Sequence, residues 1–343
     1  MMVAARPGPN NLITDVAGIS VGCAADERLL SGVSVVLTDK PATAAVDVRG
    51  GAPGTRETEA LDPSSLVGAA DAVVLSGGSV FGLDAASGVT DWLSGRGRGY
   101  RLTATTRPCP IVPAAILFDL ANGGDKDWGA VSPYRALAVE ACETAGDDIM
   151  LGNSGAGFGA VAGAWKGGLG SASVVTGEGI TIGALMAVNS FGSPVNPATG
   201  ALWAAPFAQP GDLGDAAFAH AGGRVAPPDP RAGTKAPGEA RPGTNTTVGV
   251  VACDARLNAT QACRIAIMAQ DGIARAIRPA HAPVDGDIIF ALSTGRLDLP
   301  EMDARALGTI GTHAGDVVAR AIARAVWEAA GIGGHQSYRT GPG

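Results

Sequence analysis

Three threonines and an asparagine stand together in "PGTNTTVGVV", residues 242–251, where a proline-rich stretch gives way to an apolar, β-branched run. A threonine hydroxyl attacks a carbonyl only when a base takes its proton. If the residue is a chain terminus, its own α-amine can serve. That amine titrates at roughly 7.7–8.0, close to the optimum for a base at neutral pH. Freeing such a terminus needs an exposed loop before it, so that the preceding carbonyl can twist toward the hydroxyl, and a rigid strand after it. Thr244, Thr246 and Thr247 all stand at such a junction. Turn chemistry explains the same residue types, since Asn, Thr and Gly favour turns and Val favours the strand that follows. The sharper reading is a cut chain, and these residues alone do not choose among the threonines.

A second group lies in "HAPVDGDIIF", with His281, Asp285 and Asp287. Carboxylates on either side of Gly286 reach one site if the loop bends at the glycine. There they could hold an ammonium group or orient a base. A turn residue followed by a strand-leading aspartate gives the same pattern. His281 reads as a surface or capping histidine, and the spacing assigns no Ser–His–Asp arrangement. Gly155, Gly157 and Ala160 have the GxGxxA spacing of a dinucleotide loop. Gly163, Gly167 and Gly168 follow, so no helix N-terminus is evident to receive a pyrophosphate. "LSGGSVFGL" could cradle an anion at a helix beginning near Ser79, and a plain strand–turn–helix explains it equally well.

The elements that must position these residues show in the patterning. With 46% hydrophobic and 17% charged residues, the 343-residue chain can bury a sizeable core and is not disordered. Aromatics are 4% against 51 glycines, so that core is built from small side chains that let layers approach closely. A net charge of −7 without a basic run argues against nucleic acid. No apolar run approaches a membrane span. "MMVAARPGPNNLITDVAG" lacks the apolar core of a secretory signal, and a cytoplasmic protein is expected. Cys23, Cys109, Cys142, Cys253 and Cys263 form no CxxC pair and read as reduced, buried thiols, with Cys253 structural. No metal and no cofactor is expected.

Short strands are expected in "GISVGCA", "SGVSVVLTD" and "TAAVDV", then strand, glycine turn and helix over 71–93, with Phe81, Ala85 and Val89 on one helix face. "IVPAAILFDLANGG" and "PYRALAVEACETAG" supply another strand and helix, and "ITIGALMAVN" a strand leading to Asn189. Residues 205–245 are punctuated by proline and glycine and read as a long exposed connection. A strand–helix–strand–helix tail follows as a unit of its own. Asn258 caps its first helix, with Ile265, Ala266, Ala269, Ile273 and Ile277 roughly on one face.

"DVRGGAPGTRET", "LSGGSVFGLDAASGV", "GNSGAGFGA…WKGGLGSAS", "VNSFG", "GTNTTVGVV" and "DGDIIFAL" occur in this order. In that order they resemble the L-aminopeptidase/D-esterase family, which includes β-aminopeptidases and nylon-oligomer endo-hydrolases. The resemblance runs from about residue 10 to about residue 330. It implies a self-processing N-terminal-nucleophile hydrolase of α/β class, a four-layer α-β-β-α sandwich shared in outline with ornithine acetyltransferases. One domain, 1–343, would be cut into a large subunit, 1–245, and a small subunit, 246–343. The nylon-oligomer hydrolases are cut in a Gly-Asn-Thr-Thr context. Here Thr244 replaces the glycine, while Asn245, Thr246 and Thr247 match.

The resemblance thus implies cleavage between Asn245 and Thr246, with Thr246 the nucleophile and Thr247 and Thr244 outsiders. Asp285 and Asp287 match the acidic pair beside the nucleophile, and Asn189 the amide that stabilises the oxyanion. Lys166 corresponds to an active-site lysine, in a glycine-rich segment whose length differs here. The implied activity is hydrolysis of small peptides or amides through an acyl-enzyme. No cofactor is implied, the fragments stay associated, and the paired unit forms homo-oligomers. Acyl transfer of the ornithine acetyltransferase type is one alternative. A non-catalytic nucleotide- or anion-binding module built on the glycine loops is another.

Overall fold

A computed structural model describes residues 5–214, 229, 232–235, 245–299 and 301–341. The first half of the chain supplies β1 (Ile19–Asp26), β2 (Ser31–Val48), β3 (Thr55–Arg56) and β4 (Ala69–Ser76). It continues with α1 (Ala85–Gly95), β5 (Ala114–Ile116) and α2 (Tyr134–Glu143). β6 (Val161–Ala162), β7 (Trp165–Lys166), β8 (Gly168–Val175) and β9 (Thr181–Asn189) follow. The tail consists of β10 (Thr246–Ala255), α3 (Ala259–Ala276), β11 (Ile288–Leu297) and α4 (Ala304–Glu328).

Among the described residues nine of these strands form one large mixed sheet in the order β3-β5-β4-β2-β11-β10-β9-β8, with β1 paired to β2 beside that path, while β6 and β7 pair with each other as a separate hairpin. β10 and β11 run parallel, joined by the crossover helix α3. The tail is not a unit of its own. β10 also pairs antiparallel with β9, and β11 with β2, so both strands lie inside the sheet. Their continuous apolar sequence suits strands covered on both faces.

The alternation of side chains along the strands builds three separate cores. Val248, Val250 and Ala252 of β10 share one with Leu185, Phe290, Val36 and Val73. Val251, Cys253 and Ala255, on the other face of β10, pack with Ile265, Ala269 and Ile273 of α3 and Val318 and Ile322 of α4. On the far side, Val33, Val35 and Val74 pack against Ala85, Val89 and Leu93 of α1 and Ala138 of α2. The small side chains permit close approach: a Cβ at Gly272 of α3 would lie 2.3 Å from the Gly315 carbonyl oxygen of α4. Asn258 opens α3 with a reciprocal cap, its Oδ1 accepting from Gln261 N and Gln261 Oε1 accepting from Asn258 N, each at 2.9 Å.

Several expectations are corrected. "SGVSVVLTD" and "TAAVDV" are one strand, β2, whose pairing with β4 shifts register between Leu37 and Ala42. Asp39, Lys40 and Pro41 are exposed at that irregularity, where a proline without an N–H is tolerated. Phe81 is not on α1: it lies in a 3₁₀ turn, Ser79–Asp84, and is 47% exposed. The turn starts from left-handed backbone at Gly78 and Ser79, and α1 buries Ala85, Ala86, Val89 and Leu93 instead. Cys109 is exposed, whereas Cys142 and Cys253 are buried and Cys23 and Cys263 half-buried; all are free thiols.

Where it is described, the connection after residue 205 is exposed at Pro206, Pro210, Gly211, Gly214 and Asp229 and docked at other points. Ala205 is buried, and buried Asp212 pairs with buried Arg320 of α4 at 2.6 and 2.9 Å. Thr244 lies outside the described residues. No helix among those described is long and apolar enough to cross a membrane.

Candidate active site

Strand register brings the separate sequence groups to one place. Thr246 opens β10 directly opposite Asn189, the last residue of β9. On the other side, Asn245 bridges to Asp285 in the loop that leads into β11. Thr246 Oγ1 donates to the Asn245 carbonyl oxygen at 2.5 Å, and Gly286 N–H donates to the same oxygen at 2.9 Å. The peptide carbonyl before Thr246 is therefore already held by a backbone donor. A Cβ at Gly286 would lie 2.8 Å from Thr246 Oγ1 and from Ala52 O, so the close approach requires glycine.

Both predicted carboxylates are buried here and have distinct tasks. Asp287 Oδ1 accepts from Thr247 N at 2.8 Å, fixing the start of β10. Its Oδ2 accepts from His281 N at 3.0 Å and lies 2.9 Å from His281 Nδ1. Asp285 accepts from Phe191 N through Oδ1 and from Ala282 N through Oδ2, at 3.1 and 3.0 Å. Burial, then the Asp287 charge, pushes the Asp285 carboxyl up to about 6.

Asn189 is buried with its amide fully oriented. Oδ1 accepts from Val161 N at 3.0 Å and from Lys235 Nζ at 3.0 Å, while Nδ2 donates to Phe118 O at 3.0 Å. Lys166 is buried one short hairpin away. Its ammonium donates to the carbonyls of Gly157, Ala160 and Gly167 at 3.1, 2.9 and 2.7 Å. It thus ties down the loop that presents Val161 to Asn189. Burial pushes its pKa down to about 7, against the opposing pull of Asp119. A cavity of about 200 Å³ is lined by Phe118, Ala121, Asn122, Val161, Asn189, Lys235 and His335.

The model of peptidase family S58 matches residues 11–340, nearly the whole chain. The chain belongs to peptidase family S58. An uncharacterized aminopeptidase of Mycobacterium tuberculosis is 41% identical over 96% of this S58 chain and 97% of its own length. A 6-aminohexanoate-oligomer endohydrolase of a Kocuria species is 29% identical over 94% of this chain and 87% of its own. Among solved structures, the L-aminopeptidase D-Ala-esterase/amidase of Ochrobactrum anthropi, described as a variant of the Ntn hydrolase fold, superposes with a TM-score of 0.69. It is 23% identical, covering 95% of this chain and 88% of its own. A β-aminopeptidase from a Burkholderia species superposes with a TM-score of 0.70 at 21% identity, covering 98% and 92%. The S58 chain is accordingly an amide hydrolase that acts on peptide bonds.

Three participants were not legible in the S58 sequence. Gly286, read only as the bend between two carboxylates, donates its backbone N–H to the Asn245 carbonyl, a contact that no side-chain pattern marks. His281, read as a surface or capping residue, is half-buried against Asp287 in left-handed backbone, φ 54°. Lys235 stands alone in a proline- and glycine-rich stretch without periodic neighbours. The nucleotide-loop alternative has no space. Gly155–Gly157 form a buried 3₁₀ turn, and a Cβ at Gly157 would meet Leu169 N at 2.0 Å.

Proposed function

We propose that this S58 chain cuts itself between Asn245 and Thr246 and then works as an N-terminal threonine hydrolase. The observation that carries this is the convergence of Thr246 Oγ1 and Gly286 N–H on the Asn245 carbonyl oxygen. The hydroxyl oxygen adds to that carbonyl carbon while Gly286 N–H supports the developing oxyanion. The Asn245–Thr246 C–N bond breaks, and the leaving amine takes the hydroxyl proton. Water then opens the resulting ester, leaving a carboxylate on Asn245 and a free amine and hydroxyl on Thr246.

Turnover repeats that chemistry on an outside amide. The Thr246 amine takes the hydroxyl proton, Oγ1 adds to the amide carbon, and the proton passes to the leaving nitrogen as the C–N bond breaks, which leaves the acyl group on Oγ1. Asn189 Nδ2 supports the oxyanion, and water releases the acid. Asp285 and Asp287 sit beside the new amine, so the site tolerates a cationic amine on a substrate. The cavity of about 200 Å³ beside Asn189 has room for a small acyl group. Small amides or peptides with a free amine are the proposed substrates, in keeping with relatives named as aminopeptidases and oligomer endohydrolases.

Three cores, two of them helix-covered, support reading the fold as a four-layer α-β-β-α sandwich cut within one domain. Free cysteines support a cytoplasmic location, and the family resemblance supports associated fragments that form homo-oligomers. Intact-mass measurement tests the cut. Wild-type protein should give fragments 1–245 and 246–343, and Thr246→Ala a single inactive chain. A uniformly unbroken, fully active wild type would falsify the mechanism.

A further inference from the structure

Lys235 lies outside every motif that pointed to the site, yet its Nζ is 3.0 Å from Asn189 Oδ1 and 3.2 Å from Asn189 O. Its backbone is docked independently of the scissile bond. Lys235 N donates to Phe191 O at 3.0 Å, Thr234 is buried, and Gly233 packs against Ser193. Lys235 and Asn189 also lie on the same side of the proposed cut, so cleavage leaves the pair on one fragment.

The chemistry of the contact decides what it does. An ammonium and a backbone N–H are donors only, and both converge on one atom of the Asn189 amide. That atom must be the oxygen, because an NH₂ group there would face two donors. The amide nitrogen is thereby turned to the opposite side, where Phe118 O takes one of its two N–H bonds. The other remains for an acyl oxygen in the cavity that Asn189 lines. Charge-assisted hydrogen bonds are about twice as strong as neutral ones, so the ammonium both fixes and polarises the amide. We propose that Lys235 is a positioning residue of the hydrolase, which sets the orientation of the Asn189 amide and strengthens it as the oxyanion donor. This rests on the reading of Asn189 as that donor.

The charge of Lys235 is set by the groups that face it. Burial pushes its pKa down to about 7, while Asp285 and then Asp119 favour the charged form. Lys166 and His335 are also within electrostatic reach. The ammonium is present below about 7 and lost as pH rises through that value. Its support of Asn189 weakens in the same direction.

The test compares self-cleaved wild type, Lys235→Met, Lys235→Arg and Asn189→Ala in the hydrolysis of L-alanyl and β-alanyl p-nitroanilide. Loss of an oxyanion donor costs about 10²–10³ in kcat, and loss of its support should cost a fraction of that, about tenfold. Lys235→Met should therefore lower kcat about tenfold with KM nearly unchanged, and still cut itself, since Gly286 holds the Asn245 carbonyl. Lys235→Arg should restore most of kcat and keep it at pH well above 7, where wild type declines. If Asn189→Ala is impaired and Lys235→Met matches wild type, this proposal falls alone. A Lys235→Met enzyme with higher kcat or lower KM would overturn it too, by making the lysine an obstruction. If Asn189→Ala matches wild type, or wild type hydrolyses neither anilide, the underlying reading falls instead.

Discussion

Asp285 and Asp287 are buried two residues apart, and the protein resolves their repulsion by giving them different partners. Asp287 is held by His281 and Thr247 N, whereas Asp285 has backbone N–H donors and carries the raised pKa. The sign of the linked stability follows. A carboxyl whose folded pKa is about 6 holds its proton more tightly than the unfolded chain does. Its contribution is fully present below about pH 4 and is lost as pH rises through about 6. In uncut Thr246→Ala protein, melting temperature should fall between these pH values more steeply than in Thr246→Ala/Asp285→Asn. Equal slopes in the two proteins would remove Asp285 as the source. At this scale the sequence was informative for side chains with family counterparts: Thr246, Asn189, Asp285 and Asp287, named from the resemblance, lie close together, and their catalytic roles are the proposal made above. Lys235 was invisible because its place depends on a distant docking, and Gly286 was legible only as a bend because its contact with Asn245 is made by the backbone.

Local signals predicted the elements that local physics determines. The Asn258 cap, the apolar face of α3 and the strands from Thr246 and Ile288 are all set by neighbours in sequence. β2 was misread because a polar, proline-containing interruption resembles a turn, and only pairing with β4 and β11 shows that the strand continues. The loop between α3 and β11 is another case where contact with a distant partner decides function. It is anchored by Asp285 N to Ala282 O and by Ala52 N to Asp285 O, at 2.9 and 2.8 Å. These bonds hold Gly286 against Thr246 with no room for a methyl group. Gly286→Ala should displace the hydroxyl from its carbonyl and slow self-cleavage about a hundredfold, the usual cost of an ångström-scale misplacement. A time course of chain cleavage measures this, and wild-type kinetics in that variant would show that the loop yields.

The proposed cut leaves 246–343 as a fragment whose two strands occupy the middle of the sheet. β10 is bonded to β9 on one edge and β11 is bonded to β2 on the other, so each outer neighbour of the pair comes from 1–245. Both faces of β10 are covered, and α4 packs on β8 and β9 of the large fragment as well as on α3. The Arg320–Asp212 pair adds a buried ionic link between the fragments. Separating the fragments would expose these strand edges and the apolar faces of β10 and α4 to water, and that apolar burial holds them together. Hydrolysis of one peptide bond removes none of these contacts. The two fragments should therefore elute together in size-exclusion chromatography in native buffer and in high salt, where surface ion pairs are screened but apolar burial is not. They should part only in denaturant. Recovery of free 246–343 from native buffer would show that the central strands do not hold the halves together.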